Sequence, residues 1–422
     1  MKNRMGIIFT LLLILVSCSA CGTELNTDVT GNTNMPTPEM SFPLPESVTS
    51  TGNENAESNQ AADNLFDETA IQEEWRIVAQ ACEDIYKDME RITQFDEVIF
   101  IPTDDEKEQI MSCIGGLGLP VYVSGHDMPN HELVKEFYEA VQNGLESSIG
   151  VYTFYDKLTR VSFYTKDGIV YNTRVTMEWD EDFQPVFSSI SYVSSLELFE
   201  MTDKGWLFYG QQKNPEGHFH YKEGFRVSPL GEEKRTLCEK YLAPLKDYTG
   251  HNILLSNWDI TCISSVSFND VFEMLYEYEN GYSPSEVYTE CYSPDNYMVI
   301  AVPAADFEKV ITKYFPVTAE QLREYAVYDR EKRVYAWEPL ITGGPSPEWE
   351  VVDYTYNNDG SLTITVDAVS DVYGRDKTGV NIVTVMPHTD GTFHYLSNRL
   401  EYSDESTGIR PSFPSYYPRV KK

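Results

Sequence analysis

The hydrophobic period of the chain changes near residue 150, and this change limits the fold more than any other feature. Before it, apolar side chains recur at steps of three and four residues from Ile71 to Met89 and from Leu133 to Val141, which indicates amphipathic helices. After it, segments 151–155, 160–165 and 169–178 alternate or are rich in β-branched and aromatic residues, which indicates strands. We therefore expect helices followed by an antiparallel β-meander.

The second half of the chain repeats this plan. Helices are predicted over Phe268–Tyr278, Ala304–Tyr314 and Ala319–Tyr325, and strands follow between Trp349 and Ser397. The expected fold class is α+β, with helices packed on antiparallel β-meanders in two similar domains. The predicted divisions are residues 67–227 for the first domain, 228–403 for the second and 404–422 for a tail. A single large β-rich domain is the alternative.

Two segments suggest an internal duplication. Val98–Asp105 and Val299–Asp306 align at an offset of 201 residues, with the same Val, Ile, Pro and Asp at matching positions. Proline between a strand and a helix is common by itself, so chance similarity stays an alternative.

The first residues have the pattern of a bacterial export signal. Met1–Arg4 is basic, Ile7–Val16 is apolar apart from one threonine, and Leu15–Cys18 matches a lipobox. The apolar core is too short for a permanent membrane helix. We expect residues 1–17 to be a lipoprotein signal peptide and Cys18 to carry the lipid, with Cys21 as the alternative. Cleavage without lipidation is the other possibility.

The segment after the signal is predicted to be a disordered tether, residues 18–66. It is rich in Thr, Asn, Pro, Ser, Glu and Gly and almost free of large apolar residues, so it cannot bury enough apolar surface to offset the entropy of ordering. The expected location is the extracellular face of the cell membrane, with the N-terminal lipid as the anchor.

The charge and the cysteines exclude some classes of function. A formal net charge of −35 repels phosphate backbones, so nucleic acid is not an expected partner. Five cysteines follow the predicted signal, an odd number at wide spacings, unlike the dense framework of a small disulfide-rich domain. Buried free thiols are expected, and one bridge between Cys262 and Cys291 is the alternative.

Several motifs together resemble a domain-of-unknown-function family of clostridial lipoproteins. They are Gly205–Tyr209, Arg226–Leu230, Val302–Ile311, Asn358–Val366 and Tyr395–Arg399. The resemblance covers most of the chain after the tether. It implies an exported, lipid-anchored protein of an anaerobic Gram-positive bacterium, and it supplies no activity and no catalytic residues.

Candidate binding residues are few. Glu178, Trp179 and Asp180 form the densest acidic cluster that includes an aromatic side chain, a combination found at calcium and sugar sites, although the spacing of a calcium loop is missing. His218 and His220 would lie on one side of a strand, a spacing that can bind a metal ion, but no third ligand is near in sequence. A solvated loop and a polar hairpin are the alternatives.

Two further histidine patterns carry less weight. His131–Lys135 begins like a zinc-protease helix, but Lys135 stands where the second histidine ligand is required. We therefore expect His131 in the first turn of a helix that Asn130 caps. His388 and His394 flank a turn and are able to face one another across it.

The sequence therefore favours a non-catalytic module that binds an extracellular ligand or protein, or supports the envelope, with no catalytic residues, no cofactor and no metal. A membrane-anchored extracellular hydrolase that uses carboxylates is the alternative, because catalytic groups far apart in sequence often meet only in the folded protein.

Overall fold

A computed structural model describes residues 65–94, 97–154, 157–180, 185–188, 193–211, 222–245, 253–294, 296–340, 347–371, 373–402 and 418–420. Cys18, Cys21, His218 and His220 lie outside these residues, as do the predicted signal peptide and nearly all of the predicted tether. Helices and mainly antiparallel sheets make up the described part, which confirms the α+β class.

The helices of the described residues are α1 (Glu68–Asp88), α2 (Asp104–Gly116), α3 (His131–Gln142), α4 (Glu232–Leu237), α5 (Phe268–Asn280), α6 (Ala304–Tyr314) and α7 (Ala319–Tyr325). A π-helical turn over Cys238–Leu242 continues α4. Across the described ranges, no helix has both the length and the apolar character that a membrane span requires.

Side-chain caps define the starts of α1, α2 and α7 among the helices of the described residues. The Asp67 side chain accepts a hydrogen bond from the Ala70 N–H at 3.0 Å and caps α1, and Thr103 and Glu106 form a capping box on α2. The cap predicted for α3 is wrong. Asn130 has a left-handed backbone, and its side chain donates instead to the carbonyl oxygens of Gly115 (2.9 Å) and Leu119 (3.0 Å).

The strands of the first half are β1 (Arg91–Gln94), β2 (Glu97–Phe100), β3 (Val121–Tyr122), β4 (Ser147–Phe154), β5 (Leu158–Lys166), β6 (Ile169–Trp179), β7 (Pro185–Phe187), β8 (Ser194–Met201), β9 (Trp206–Gln211) and β10 (Lys222–Arg226). β1 and β2 form a hairpin, and the others form one sheet in the order β10-β9-β8-β6-β5-β4-β3, with β7 also beside β6. β3 and β4 are parallel and are joined through α3.

The strands of the second half are β11 (Trp258–Asp259), β12 (Cys291–Ser293), β13 (Asn296–Pro303), β14 (Tyr328–Asp329), β15 (Val334–Trp337), β16 (Glu348–Tyr356), β17 (Leu362–Ser370), β18 (Arg375–Pro387) and β19 (Phe393–Tyr402). They form a five-stranded sheet, β11-β19-β18-β17-β16, and a four-stranded sheet, β12-β13-β15-β14. The predicted meanders are present in both halves. Their turns contain Gly168, Gly205, Gly360 and Gly391, and each of these glycines has a positive φ, as expected.

The halves are in contact, and residues 61–422 form one compact unit. Val369 of β17 lies in a buried cluster with Trp206 and Phe208 of β9. Lys204 bonds the buried Asp367 carboxylate at 2.5 Å. The division into two similar domains at residue 228 stays a prediction.

Candidate functional site

A cavity of about 110 Å³ lies where the two halves meet, and we call it the junction pocket. It is lined by residues 124–127 after β3, Trp206 of β9, Arg226 of β10, Leu230, Arg235, Cys238, Glu239 and residues 347–350 at the start of β16. Four segments that are far apart in sequence therefore meet around one space.

Glu350 forms the buried side of the junction pocket. Arg226 Nη1 lies 2.7 and 2.6 Å from the two carboxylate oxygens of Glu350, and Trp206 Nε1 donates to the same group at 2.8 Å. Burial raises the pKa of the Glu350 carboxyl, while Arg226 and Trp206 favour its charged form and oppose that shift. The carboxylate is thus buried, but three hydrogen bonds satisfy it.

Asp127 and Arg235 form a second ion pair at the pocket. One Asp127 oxygen accepts a hydrogen bond from the Leu230 N–H at 2.9 Å, and the other contacts the Arg235 guanidinium. Gly125 has a φ of 84°, which lets the loop turn so that Asp127 reaches these partners. The loop after β3 is in this way attached to the segment that leads into α4.

The rim of the pocket closes the edge of the five-stranded sheet. β16 is an edge strand, and edge strands expose backbone groups that invite pairing with other chains. The Val351 N–H lies 3.3 Å from the Cys238 sulfur, and Tyr122 donates to Glu348 at 2.8 Å. Side chains from α4, its π-helical turn and β3 therefore cover the start of this edge.

The chemistry of the junction pocket is that of paired charges. Its carboxylates are Asp127, Glu239, Glu348 and Glu350, and its guanidiniums are Arg226 and Arg235. Each of these carboxylates has a hydrogen-bond or ion-pair partner. The cavity, at about 110 Å³, is smaller than the 300–1,000 Å³ of typical small-molecule sites. Within the described ranges, no group of three or more metal-ligating side chains is placed to hold an ion.

A second feature is a tyrosine surface at the end of α5, formed by Tyr276, Tyr282 and Tyr288. The Tyr276 ring lies 5.9 Å from that of Tyr282 and 5.7 Å from that of Tyr288. Tyr282 is 40% exposed, Tyr288 is half-buried and Tyr276 is buried. Burial and the nearby Asp306 raise the pKa of Tyr288 to about 12, so its hydroxyl stays a hydrogen-bond donor.

The acidic cluster predicted from the sequence is divided by the structure. Trp179 is buried, and its ring centroid lies 5.2 Å from that of Tyr86 in the core under α1. Glu178 points outward and pairs with Lys157 at 2.8 Å. Asp180 follows the end of β6 and is exposed. Trp179 also lines an open groove with Arg76, Gln80 and Glu83 of α1.

The described histidine pair does meet. His388 Nε2 and His394 Nδ1 lie 3.2 Å apart across the turn between β18 and β19. Burial, and the charge that His388 acquires on protonation, both lower the pKa of His394. The thiols of Cys262 and Cys291 are both free, so the alternative bridge between them is not formed. Both are exposed, so the expectation of buried thiols is wrong for these two residues.

Sequence reasoning missed Glu350 and Arg226. A local signal was present, because Glu350 stands between Trp349 and Val351 in a strand that is otherwise apolar at that point. Charged residues are rarely buried unless they are paired. The sequence does not reveal the partner, since Arg226 precedes Glu350 by 124 residues.

Comparison with known proteins gives one result. Neither the curated proteins nor the solved structures contain a match to this chain. A family of unknown function, DUF6070, matches residues 68–416, which is most of the sequence. The chain therefore belongs to the DUF6070 family.

Proposed function

We propose that the protein is a lipid-anchored module on the extracellular face of a bacterial membrane, which binds a ligand or protein or supports the envelope without catalysing a reaction. The support for the anchor is the sequence of residues 1–18, with its basic start, short apolar core and lipobox. Several acyl chains on Cys18, or on Cys21, hold a protein at a membrane far better than one chain does.

One observation carries the non-catalytic part of the proposal. The buried carboxylate of the junction pocket, Glu350, is held by Arg226 and Trp206, and Asp127 is held by Arg235. A general base or nucleophile must reach a substrate atom, and these groups already bind side chains of the protein. The volume of the junction pocket also supports a non-catalytic role, because a polymer segment does not fit into about 110 Å³.

The tyrosine surface is a better candidate for a binding site than the junction pocket. Tyrosine supplies a large, rigid contact area and a polar hydroxyl, and it is enriched at binding sites. Tyr282 is exposed and its ring packs against that of Tyr276, which gives an aromatic surface with hydrogen-bonding hydroxyl groups. An anchored protein also gains local concentration at the envelope, which strengthens weak binding.

The anchor is tested with the full chain in a Gram-positive host. Mass spectrometry of the membrane fraction should find an N-terminal cysteine with acyl chains at Cys18 in the wild type. Cys18→Ala should release the protein to the medium or leave the precursor unprocessed, whereas Cys21→Ala should keep the anchor. An intact Met1, or an unmodified start after Cys21, would contradict the proposal.

A carboxylate hydrolase is the second candidate, and the raised pKa of Glu350 in a cavity is what favours it. The binding hypothesis and the hydrolase hypothesis are distinguished by mixing residues 61–422 with purified envelope fragments. A binder sediments with the fragments and releases no soluble product. A hydrolase releases product, and Glu350→Gln abolishes this release while the matched surface substitution Glu178→Gln does not.

Tyr282→Ala tests the binding surface in the same sedimentation assay. We expect sedimentation to fall several-fold. Tyr356→Ala, which removes a more exposed tyrosine (65% against 40%) from the end of β16, should leave it unchanged. Equal loss in both variants would show that the tyrosine surface has no special role.

A further inference from the structure

Two carboxylates of α5 face the interior of the protein, and we call them the acidic slot. Asp270 is fully buried and Glu273 is 4% exposed. A buried carboxylate is strongly unfavourable unless hydrogen bonds and an opposite charge compensate it. The slot therefore requires a cation.

The cation is Arg419, from a short segment near the end of the sequence. Arg419 Nη1 lies 2.6 Å from Glu273 Oε2, and Nε lies 3.3 Å from Asp270 Oδ1. Nη2 donates to the Asp270 carbonyl oxygen at 3.1 Å, and the Arg419 backbone N–H donates to the Asp270 carboxylate at 3.2 Å. Four contacts thus hold one guanidinium and its backbone.

The next residue occupies an apolar pocket. Val420 is 9% exposed and is buried with Val299 of β13 and Ala336 of β15, beside Tyr292 and Val327. The two neighbouring residues of the segment fill two neighbouring sites of different chemistry, one anionic and one apolar. This is the arrangement of a peptide-recognition site, in which charge and pocket shape together select the sequence.

The acidic slot also receives hydrogen bonds from groups other than Arg419. The Ser267 hydroxyl donates to Asp270 at 3.0 Å, and the Leu340 N–H lies 3.2 Å from both Glu273 oxygens. Asp270 also lies in the first turn of α5, where the helix dipole favours an anion. Glu338 lies close enough for its charge to interact with Asp270 and Arg419. One guanidinium therefore faces a surplus of carboxylates.

We propose that the acidic slot and the adjoining Val420 pocket form a recognition site for a basic peptide that carries arginine followed by a small apolar residue. The segment Pro418–Val420 is its occupant in cis, and a basic peptide of a partner competes with it. The net charge of −35 attracts such a peptide from a distance. This inference depends on neither the lipid anchor nor the junction pocket.

The test measures fluorescence anisotropy of a labelled peptide with the sequence of residues 416–422, Tyr-Tyr-Pro-Arg-Val-Lys-Lys, added to the full chain. Arg419→Ala should bind it at least ten-fold more tightly than the wild type, because the tethered segment competes at high effective concentration in the wild type. A peptide with citrulline in place of arginine, which keeps the shape and loses the charge, should bind at least ten-fold more weakly.

Arg323→Ala is the matched control, because it removes a guanidinium that bonds Glu308 elsewhere on the protein. It should bind the peptide as the wild type does. Arg419→Lys is a second variant that keeps a charge in the slot if Arg419→Ala does not fold, and it too should bind more tightly than the wild type. A folded Arg419 variant with no gain in binding, or with no preference for arginine over citrulline, would overturn the proposal.

Discussion

The ion pair between Arg226 and Glu350 should contribute several kcal/mol to stability, far more than a surface pair. The Arg226 side chain is 12% exposed and that of Glu350 is 7%, so water screens neither charge effectively. Removing one member of a buried pair typically costs about 3–5 kcal/mol, because the other charge stays buried without its partner. Glu350→Leu also removes the acceptor of the Trp206 N–H, and an unsatisfied buried donor costs about 1–3 kcal/mol.

The assay is a double-mutant cycle with Arg226→Met, Glu350→Leu and the double variant, each unfolded in urea and followed by tryptophan fluorescence. We expect each single variant to lose about 3–5 kcal/mol. The double variant should lose much less than the sum, because neither charge is left alone. The resulting coupling energy should be about 2 kcal/mol or more, at the upper end for residues in one network.

The pair Lys157 and Glu178 is the control for this cycle. Their side chains are 34% and 51% exposed, and exposed pairs are worth about 0.2–1 kcal/mol. If the coupling energy of Arg226 and Glu350 were no larger than that of this control pair, the reasoning from burial would be refuted. A smaller cost of Arg226→Met at acid pH is also expected, because burial raises the pKa of Glu350 and the carboxyl can then become neutral.

Two other predictions concern a turn and a histidine. Gly205→Ala should lower the free energy of unfolding in urea more than Gly360→Ala does. Both glycines have a positive φ, but only a β-carbon at position 205 would collide with a neighbour, Ser228. Gly360→Ala alone should cost about 1–2 kcal/mol, and an equal loss of stability in both variants would exclude a role for the contact with Ser228. Burial lowers the pKa of His394, so on acidification the unfolded chain binds the proton first and stability falls as the pH drops below about 6.5. In His394→Asn, the free energy of unfolding should therefore decline less between pH 7.5 and 5.5 than in the wild type. An equal decline in both proteins would contradict this prediction.

Periodicity and turn chemistry allowed the fold class to be predicted, and packing explains what they missed. α5 was predicted, since its apolar residues recur with the helical period, but Asp270 and Glu273 look like members of its solvent-facing side. They lie in the interior, where Arg419, almost 150 residues later, pairs with them. A local pattern carries no information about such a partner.

The junction pocket could not be predicted for the same reason. Its ion pairs join β10 to β16 and the loop after β3 to α4, and neither pairing has a sequence signature. α4 itself was missed, because a helix of six residues is too short to display a clear period. The acidic cluster at Glu178 was conspicuous in sequence, but the strand alternation of β6 sends Trp179 into the core and Glu178 to the surface.

The order of elements favours an internal duplication more strongly than the sequence match alone. α1, the β1–β2 hairpin and α2 recur as α5, the β12–β13 hairpin and α6, about 200 residues later. The Ile101 N–H donates to the Glu90 carbonyl at 2.8 Å, and the Ala301 N–H donates to the Glu290 carbonyl at 2.7 Å. One hydrogen bond therefore recurs at an offset of 200 residues, one residue less than the offset of the sequence match.

The two similar segments differ in how the first helix satisfies an inward carboxylate. On α1, Glu74 bonds Arg160 Nε at 2.8 Å and the Tyr152 hydroxyl at 2.7 Å, and both partners lie on strands of the adjoining sheet. On α5, Glu273 takes its guanidinium from Arg419, beyond the last strand. Arg160 lies in a paired strand, whereas Arg419 lies in the described residues 418–420, which belong to no helix or strand. This difference is the physical basis for proposing a peptide site only at α5.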